Sequence, residues 1–157
     1  MPIDKSELIA EITEILLNEL QKLQSIAASA ASAATEKGLV AEGKYDTRAI
    51  ESSYLAGGQA KRVEELKVEI AALSRLANSG GGKVSLGSLV AVEIEGEESL
   101  FFLLPVSGMS LMHANQKITV VSPQSPIGSS LAHLECGDSF EFESPSGTRS
   151  LEIITIF

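Results

Sequence analysis

Apolar residues recur every three or four positions through the first half of the chain, the spacing of one face of an α-helix. Asp4 precedes the first such stripe, where Glu7 would complete a capping box, and Gly38 follows it as a natural stop. That stripe consists of Ile9, Ile12, Leu16, Leu20, Leu23, Ala27, Ala30 and Ala34. A second stripe, formed by Ala49, Ser53, Ala56, Ala60, Val63, Leu66, Ile70 and Leu73, predicts a second helix.

The two predicted helices are each roughly 30 residues long, or about 45 Å. Neither stripe is wide enough for a globular core. We therefore expect residues 1–78 to form an antiparallel coiled-coil hairpin, in which each stripe is buried on the other. The seam changes from Leu and Ile at its base to Ala and Ser near the turn, which predicts a slender tip.

The second half of the chain changes to a period of two. A glycine-rich linker, residues 79–82, marks the change. Gly96 and the run Pro145-Ser146-Gly147 are predicted hairpin turns, and Ser125 is the predicted N-cap of a short helix, Pro126–Leu134. Residues 83–157 are thus predicted to form a small antiparallel sheet with one short helix, which makes the chain α+β. The predicted strands are Lys83–Leu86, Leu89–Ile94, Leu100–Leu104, Lys117–Val121, Ser139–Glu143 and Leu151–Ile156.

Composition narrows the function. The 157 residues carry a net charge of −9, and aromatic residues make up only 4%, with no Trp. Such a chain is repelled by phosphate backbones and has few rings for base stacking, so we expect no autonomous DNA or RNA binding. The acidic, amphipathic N-terminus is unlike a signal peptide, and no apolar run approaches ~18 residues. We therefore expect a cytoplasmic protein that does not enter membranes.

Candidate chemistry within the chain is sparse. His113 and His133 have no second metal ligand at helical or hairpin spacing, and Cys136 is expected to pack as a small hydrophobic residue. The run Gly80–Ser85 follows a helix rather than a strand and lacks the Lys-Ser/Thr pair of a phosphate loop. We therefore expect no intrinsic metal or cofactor and no enzymatic activity of the protein's own.

The predicted turn between the helices is acidic. Glu42 and Asp46 lie within it. Carboxylates at the end of a rod about 45 Å long would reach a metal ion buried in another molecule. In the alternative interpretation, Asp46 or Thr47 only caps the second helix and Glu42 is solvated.

Three runs in the second half carry a family resemblance. They are Val121-Ser122-Pro123-Gln124-Ser125-Pro126-Ile127-Gly128-Ser129-Ser130-Leu131, then Gly137-Asp138, then Ser144-Pro145-Ser146-Gly147. In order and spacing they resemble the Gre family of bacterial transcript-cleavage factors, GreA and GreB. That resemblance covers the whole chain, because family members are also a coiled coil followed by a small FKBP-like domain.

The resemblance implies RNA polymerase as the partner. The graded seam and the single turn between the helices favour an intramolecular pair, so we expect a monomer. The C-terminal domain would dock on the polymerase through Ser125, Pro126, Ile127 and Gly128, while the coiled coil enters the secondary channel. Glu42 and Asp46 would be tip acids that share Mg²⁺ with the polymerase active site. The polymerase would then cleave backtracked RNA, since two metal ions stabilise the attacking and leaving oxygens.

The tip departs from the family pattern of two acids three positions apart. When the second helices are aligned without gaps, Glu42 falls on the first acid and Tyr45 on the second, with Asp46 beside it. When the glycines are aligned, Lys44 and Thr47 fall on the acids. A second hypothesis is therefore a secondary-channel regulator without cleavage stimulation. Two further alternatives are an FKBP-like prolyl isomerase or peptide-binding module, and a structural coiled-coil dimer.

Overall fold

The computed structural model describes residues 3–36, 55, 57–76, 82–106 and 108–157. The chain divides into two compact units, Met1–Ala71 and Ala72–Phe157. Within the described residues, the elements are helices α1 (Lys5–Glu36), α2 (Gly57–Ser74) and α3 (Pro126–Leu131), with six strands. The strands are β1 (Leu89–Ile94), β2 (Glu97–Leu103), β3 (Met109–His113), β4 (Gln116–Val121), β5 (Ser139–Ser144) and β6 (Gly147–Ile156). The chain is thus α+β; the predicted boundary at residues 79–82 falls mostly outside the described residues and stays a prediction.

Helix α1 begins as the sequence predicts. The Asp4 carboxylate accepts hydrogen bonds from the backbone N–H groups of Ser6, at 2.9 Å, and Glu7, at 3.4 Å. These are donors that a helix start leaves without intrahelical partners. Of the predicted stripe, Ile12, Leu16 and Ala27 are buried. Leu8 is fully buried whereas Ile9 is half-buried, so the stripe starts one residue earlier than predicted.

A small cluster joins α1 to the second stripe. Ala27, Leu55 and Val63 are buried together, and Leu20, Leu23 and Ala60 pack against them. Leu55 was not part of the predicted stripe. The side chains of Ala34, Ala49, Ser53 and Ala56 lie outside the described residues. The predicted close approach of the helices near the turn therefore stays a prediction.

One arginine ties the two helices together electrostatically. Arg62 on α2 donates to both carboxylate oxygens of Glu19 on α1, at 2.8 and 3.1 Å. It also lies 3.6 Å from Glu65 and 3.4 Å from Glu69, which is buried. The hydrogen bond from Arg62 lowers the pKa of Glu19, and the hydrogen bond to Glu19 raises the pKa of Arg62.

The six strands form one mixed sheet in the order β3-β4-β2-β1-β6-β5. Strands β2 and β4 are parallel, with Leu100 opposite Ile118, and the other neighbouring pairs are antiparallel. The prediction of a purely antiparallel sheet is therefore wrong. Alternation along a strand reports which face is buried and carries no information on the direction of the neighbour.

Two strand assignments also differ from the prediction. The segment Lys83–Leu86 is not a strand: it makes an isolated bridge between Lys83 and Glu135, supported by a hydrogen bond from the Val84 N–H to the Leu134 carbonyl at 2.8 Å. Strand β3 was not predicted at all. Its turn to β4 is built from Ala114 and Asn115, at φ 50° and 63°, without the glycine that usually marks such a turn.

The sheet unit has an apolar core built on its strands. One cluster on the sheet is formed by Val84, Val90, Val92, Phe101, Leu103, Val121, Leu131, Leu151 and Ile153. Leu131 belongs to α3, which is thereby anchored to the sheet. Ile127, Phe140 and Phe142 are half-buried against the same cluster.

Candidate docking groove

The residues expected to dock on a partner lie at the start of α3. Ser125 is the N-cap, with φ −72° and ψ 156°, and Pro126 occupies the first helical turn. The Ser125 hydroxyl accepts a hydrogen bond from the Gly128 N–H at 3.0 Å and donates to the Ser122 carbonyl at 2.7 Å. A serine cap followed by proline is the arrangement that the sequence predicted. The helix ends at Leu131, three residues earlier than predicted.

Position 128 requires a glycine because the preceding segment, from Ser122 to Ser125, lies very close to it. It is buried, and a Cβ at this position would overlap the Ser122 carbonyl oxygen and crowd the Ser125 hydroxyl. The obstructing atoms include backbone, which cannot rotate away as a flexible side chain would. The glycine therefore lets the segment 122–125 fold back on the first turn of α3 and fixes how Pro126 is presented.

Pro126 and Ile127 form one wall of an open groove of about 700 Å³. We call it the α3 groove. Val121, Ser125 and Ser130 line the same side, and residues 141–145 of β5 and its turn line the other. Pro126 is exposed, whereas Ile127 is half-buried against the core, so the groove joins a solvent-facing ring to apolar side chains held in place.

The second wall combines an aromatic ring with two carboxylates. Phe142 packs on the core and lies 6.3 Å, ring centre to ring centre, from Phe140. Glu141 and Glu143 alternate with the rings along β5 and are exposed. The groove thus has an apolar interior and an acidic border.

The tip acids Glu42 and Asp46 lie outside the described residues, so their expected role stays a prediction. The four docking residues, in contrast, are brought together at one rim of the α3 groove. Sequence reasoning did not assign Glu141, Phe142 and Glu143 to this site. The signal available was the run from Ser144 to Gly147, which resembles the family pattern and follows β5 directly.

The other candidate groups have ordinary positions. His133 is exposed, at φ 72°, and His113 is half-buried on β3. Cys136 is exposed, so the expectation that it packs as a small hydrophobic residue is wrong. In the part of the chain that the structure describes, no three His, Cys, Asp or Glu side chains are placed to hold a metal ion. No helix among those residues has the length and apolarity to cross a membrane.

The family model described as "Transcription elongation factor, GreA/GreB, C-term" matches residues 78–157. This match spans the sheet, α3 and every residue that lines the groove. The chain belongs to the GreA/GreB family of transcription elongation factors. The family resemblance inferred from Ser125 to Leu131 is thereby confirmed.

Similar proteins extend the match beyond this half. Transcription elongation factor GreA of Roseiflexus sp. (strain RS-1) is 31% identical over 126 residues, which cover 78% of this chain and 76% of that protein. Among solved structures, GreA factor homolog 1 of Thermus thermophilus is 21% identical, with a TM-score of 0.40, and covers 96% of this chain and 93% of its own. GreA/GreB from Nitrosomonas europaea is 23% identical, with a TM-score of 0.39, over 58% of this chain and 77% of its own.

Proposed function

We propose that this protein is a monomeric, cytoplasmic factor that binds RNA polymerase and acts during transcript elongation. The observation that carries the proposal is the family match over residues 78–157, which contains the complete α3 groove. The groove is the docking surface in this proposal, with Ser125, Pro126, Ile127 and Gly128 at its rim. The factor has no catalytic group of its own and modifies the activity of the polymerase.

The helix pair supplies the second part of the mechanism. We propose that it is an antiparallel coiled-coil hairpin that enters the secondary channel of the polymerase. The packing of α1 on the second stripe and the Arg62–Glu19 pair support this arrangement. Helix α1 has 32 residues, which corresponds to about 48 Å of helix.

In this mechanism, Glu42 and Asp46 bring carboxylate oxygens to the polymerase active site. Carboxylates fit the purpose chemically, since Mg²⁺ is bound through one or two of them while it keeps several waters. A second metal ion there would stabilise the attacking and leaving oxygens of RNA hydrolysis. The protein's own part is to hold the two acids at the end of a stiff support.

A second candidate function is a secondary-channel regulator that does not stimulate cleavage. The tip sequence favours it specifically, because Tyr45 replaces the second acid of the family pattern when the helices are aligned without gaps. The FKBP-like alternative is proposed only as a description of the sheet unit. Its described rings are not gathered around one pocket: Phe101 lines one cleft, Phe142 lines the α3 groove, and Phe102 is fully buried.

The deciding experiment is RNA cleavage in a stalled, backtracked complex of bacterial RNA polymerase, with and without the protein. The proposal expects faster cleavage with the wild-type protein and loss of that effect in Asp46→Asn, with polymerase binding retained. Asn preserves the helix-capping role of Asp46, so a role limited to capping leaves the variant active. Binding without any stimulation favours the regulator instead.

Docking is tested separately by competition for polymerase binding. Pro126→Ala combined with Ile127→Ala should weaken binding at least tenfold, since tenfold corresponds to about 1.4 kcal/mol and truncating residues that anchor an interface costs about 2 kcal/mol or more. Met112→Ala is the matched control, because Met112 is an exposed apolar side chain on β3, outside the groove lining. Equal binding by both variants would place the docking surface elsewhere.

A further inference from the structure

The α3 groove carries negative charge on its border. Glu141 and Glu143 are exposed on its border, and none of its lining residues is a cation. The described cations of the sheet unit from residue 82 onward are Lys83, Lys117 and Arg149. Lys83 faces Glu135 at 4.0 Å and Arg149 binds Glu95 at 2.9 Å, while Lys117 lines a different cleft.

The geometry of β5 places these carboxylates toward a partner. Among the described strands, β5 lies at one edge of the sheet, next to β6. Glu141 and Glu143 are two residues apart along β5, where they alternate with Phe140 and Phe142, and both line the open groove beside Phe142 at this edge of the sheet. Their Cα atoms are therefore about 7 Å apart, close to the spacing of side chains three or four positions apart on a helix, about 5–6 Å.

We infer that the α3 groove selects a basic amphipathic segment of its partner, with an apolar side chain between Ile127 and Phe142 and Lys or Arg beside Glu141 and Glu143. The inference rests on the proposed function, because the partner is taken to be RNA polymerase. It adds β5 as a second, charge-selecting wall to the rim formed by α3. The apolar contact supplies most of the affinity, whereas the carboxylates set the choice of partner and the rate of encounter.

The test compares two full-length double variants that remove the same amount of charge. Glu141→Gln with Glu143→Gln neutralises the groove border. Glu93→Gln with Glu98→Gln neutralises a facing pair on β1 and β2, and neither of these residues lines the groove. All four side chains are exposed, and circular dichroism checks that both proteins fold.

Binding to purified RNA polymerase is measured at about 50 mM and about 300 mM salt, because screening weakens exposed charge pairs. The groove variant is expected to bind about 3- to 30-fold more weakly than wild type at the lower salt, from two surface ion pairs. Its association rate and its salt dependence should both fall. The control variant should stay within about twofold of wild type.

Each other outcome overturns the inference in a distinguishable way. If both double variants weaken binding equally, net charge alone is responsible and the groove selects nothing. If Pro126→Ala with Ile127→Ala weakens binding but the groove variant does not, the docking proposal stands and the charge selection is wrong. A wild-type protein that does not bind RNA polymerase overturns both proposals.

Discussion

The helix pair and the sheet unit are each stabilised internally by a different kind of contact. In the helix pair, Leu8, Ile12 and Leu66 are fully buried, and Arg62 pairs with three carboxylates, those of Glu19, Glu65 and Glu69. The sheet unit has nine buried residues in one cluster, with branched side chains and Phe101 among them. Apolar packing in the helix pair is thus supplemented by a charged network around Arg62, whereas the cluster on the sheet consists of apolar side chains alone.

The largest expected effect comes from the sheet core. Leu131→Ala should destabilise the sheet unit by about 2–5 kcal/mol, since the deleted atoms leave a cavity at a fully buried site. The same change should loosen α3 and weaken polymerase binding. Hydrogen exchange followed by mass spectrometry, peptide by peptide, measures the loss of protection. An equal loss of protection in α1 would break the comparison, because the two units would then unfold as one.

Gly128→Ala is expected to have the next largest effect. The added methyl overlaps the Ser122 carbonyl, so the start of α3 must shift, at a cost of about 1–3 kcal/mol. We expect a disproportionate loss of polymerase binding, because the shift displaces Pro126. For each variant we compare the loss of binding affinity with the loss of stability. A larger loss of affinity per unit of stability in Gly128→Ala than in Leu131→Ala indicates a displaced groove rather than a weaker core. Unchanged affinity would show that binding to the partner does not depend on the geometry of the segment 122–125.

Arg62→Met tests the helix pair. It removes the guanidinium from Glu19 and from the buried Glu69, and we expect a loss of about 1–3 kcal/mol that appears as reduced protection in α1 and α2. Arg62→Lys, the control, keeps the charge but not the two parallel hydrogen bonds to Glu19. If both variants equal wild type, apolar packing alone holds the helices together.

The smallest expected effect is the pH dependence of the same pair. The pKa of Glu19 is lowered in the folded protein, so its contribution is present above its unfolded pKa, about 4.3. It is lost as the pH falls through the lowered value. The thermal midpoint of Glu19→Gln should therefore lie slightly below that of wild type at pH 7, and the difference should shrink as the pH falls through the lowered pKa of Glu19. A difference that persists in acid would assign the effect to packing.

Local signals in the sequence predicted the local structure. The apolar stripe through Ile12 and Leu16 correctly predicted helix α1, and the adjacent Ser125 and Pro126 correctly predicted the start of α3. The parallel pairing of β2 with β4 was not predictable, because alternation does not encode the direction of a neighbour. Strand β3 was not predicted, because the turn that follows it is formed by Ala114 and Asn115 and contains no glycine to mark it.

The groove shows the same division between local and distant information. Its α3 rim was predicted from contiguous residues, and that rim depends on the capping chemistry of one short segment. The opposite wall, around Phe142, comes from a strand more than ten residues away and adjoins α3 only when the sheet forms. The sequence pattern predicted a strand at Ser139–Glu143 but not the surface that this strand faces.

Cys136 has a practical consequence for experiments on this protein. It is the single cysteine of the chain, and it is exposed in the turn between α3 and β5, outside the groove lining. A maleimide dye would therefore attach at one defined position of the natural sequence without any substitution. Fluorescence anisotropy of the labelled protein would follow binding to polymerase directly. A second cysteine introduced at the exposed Asn18 would give a dye pair for measuring the distance between the two units in solution.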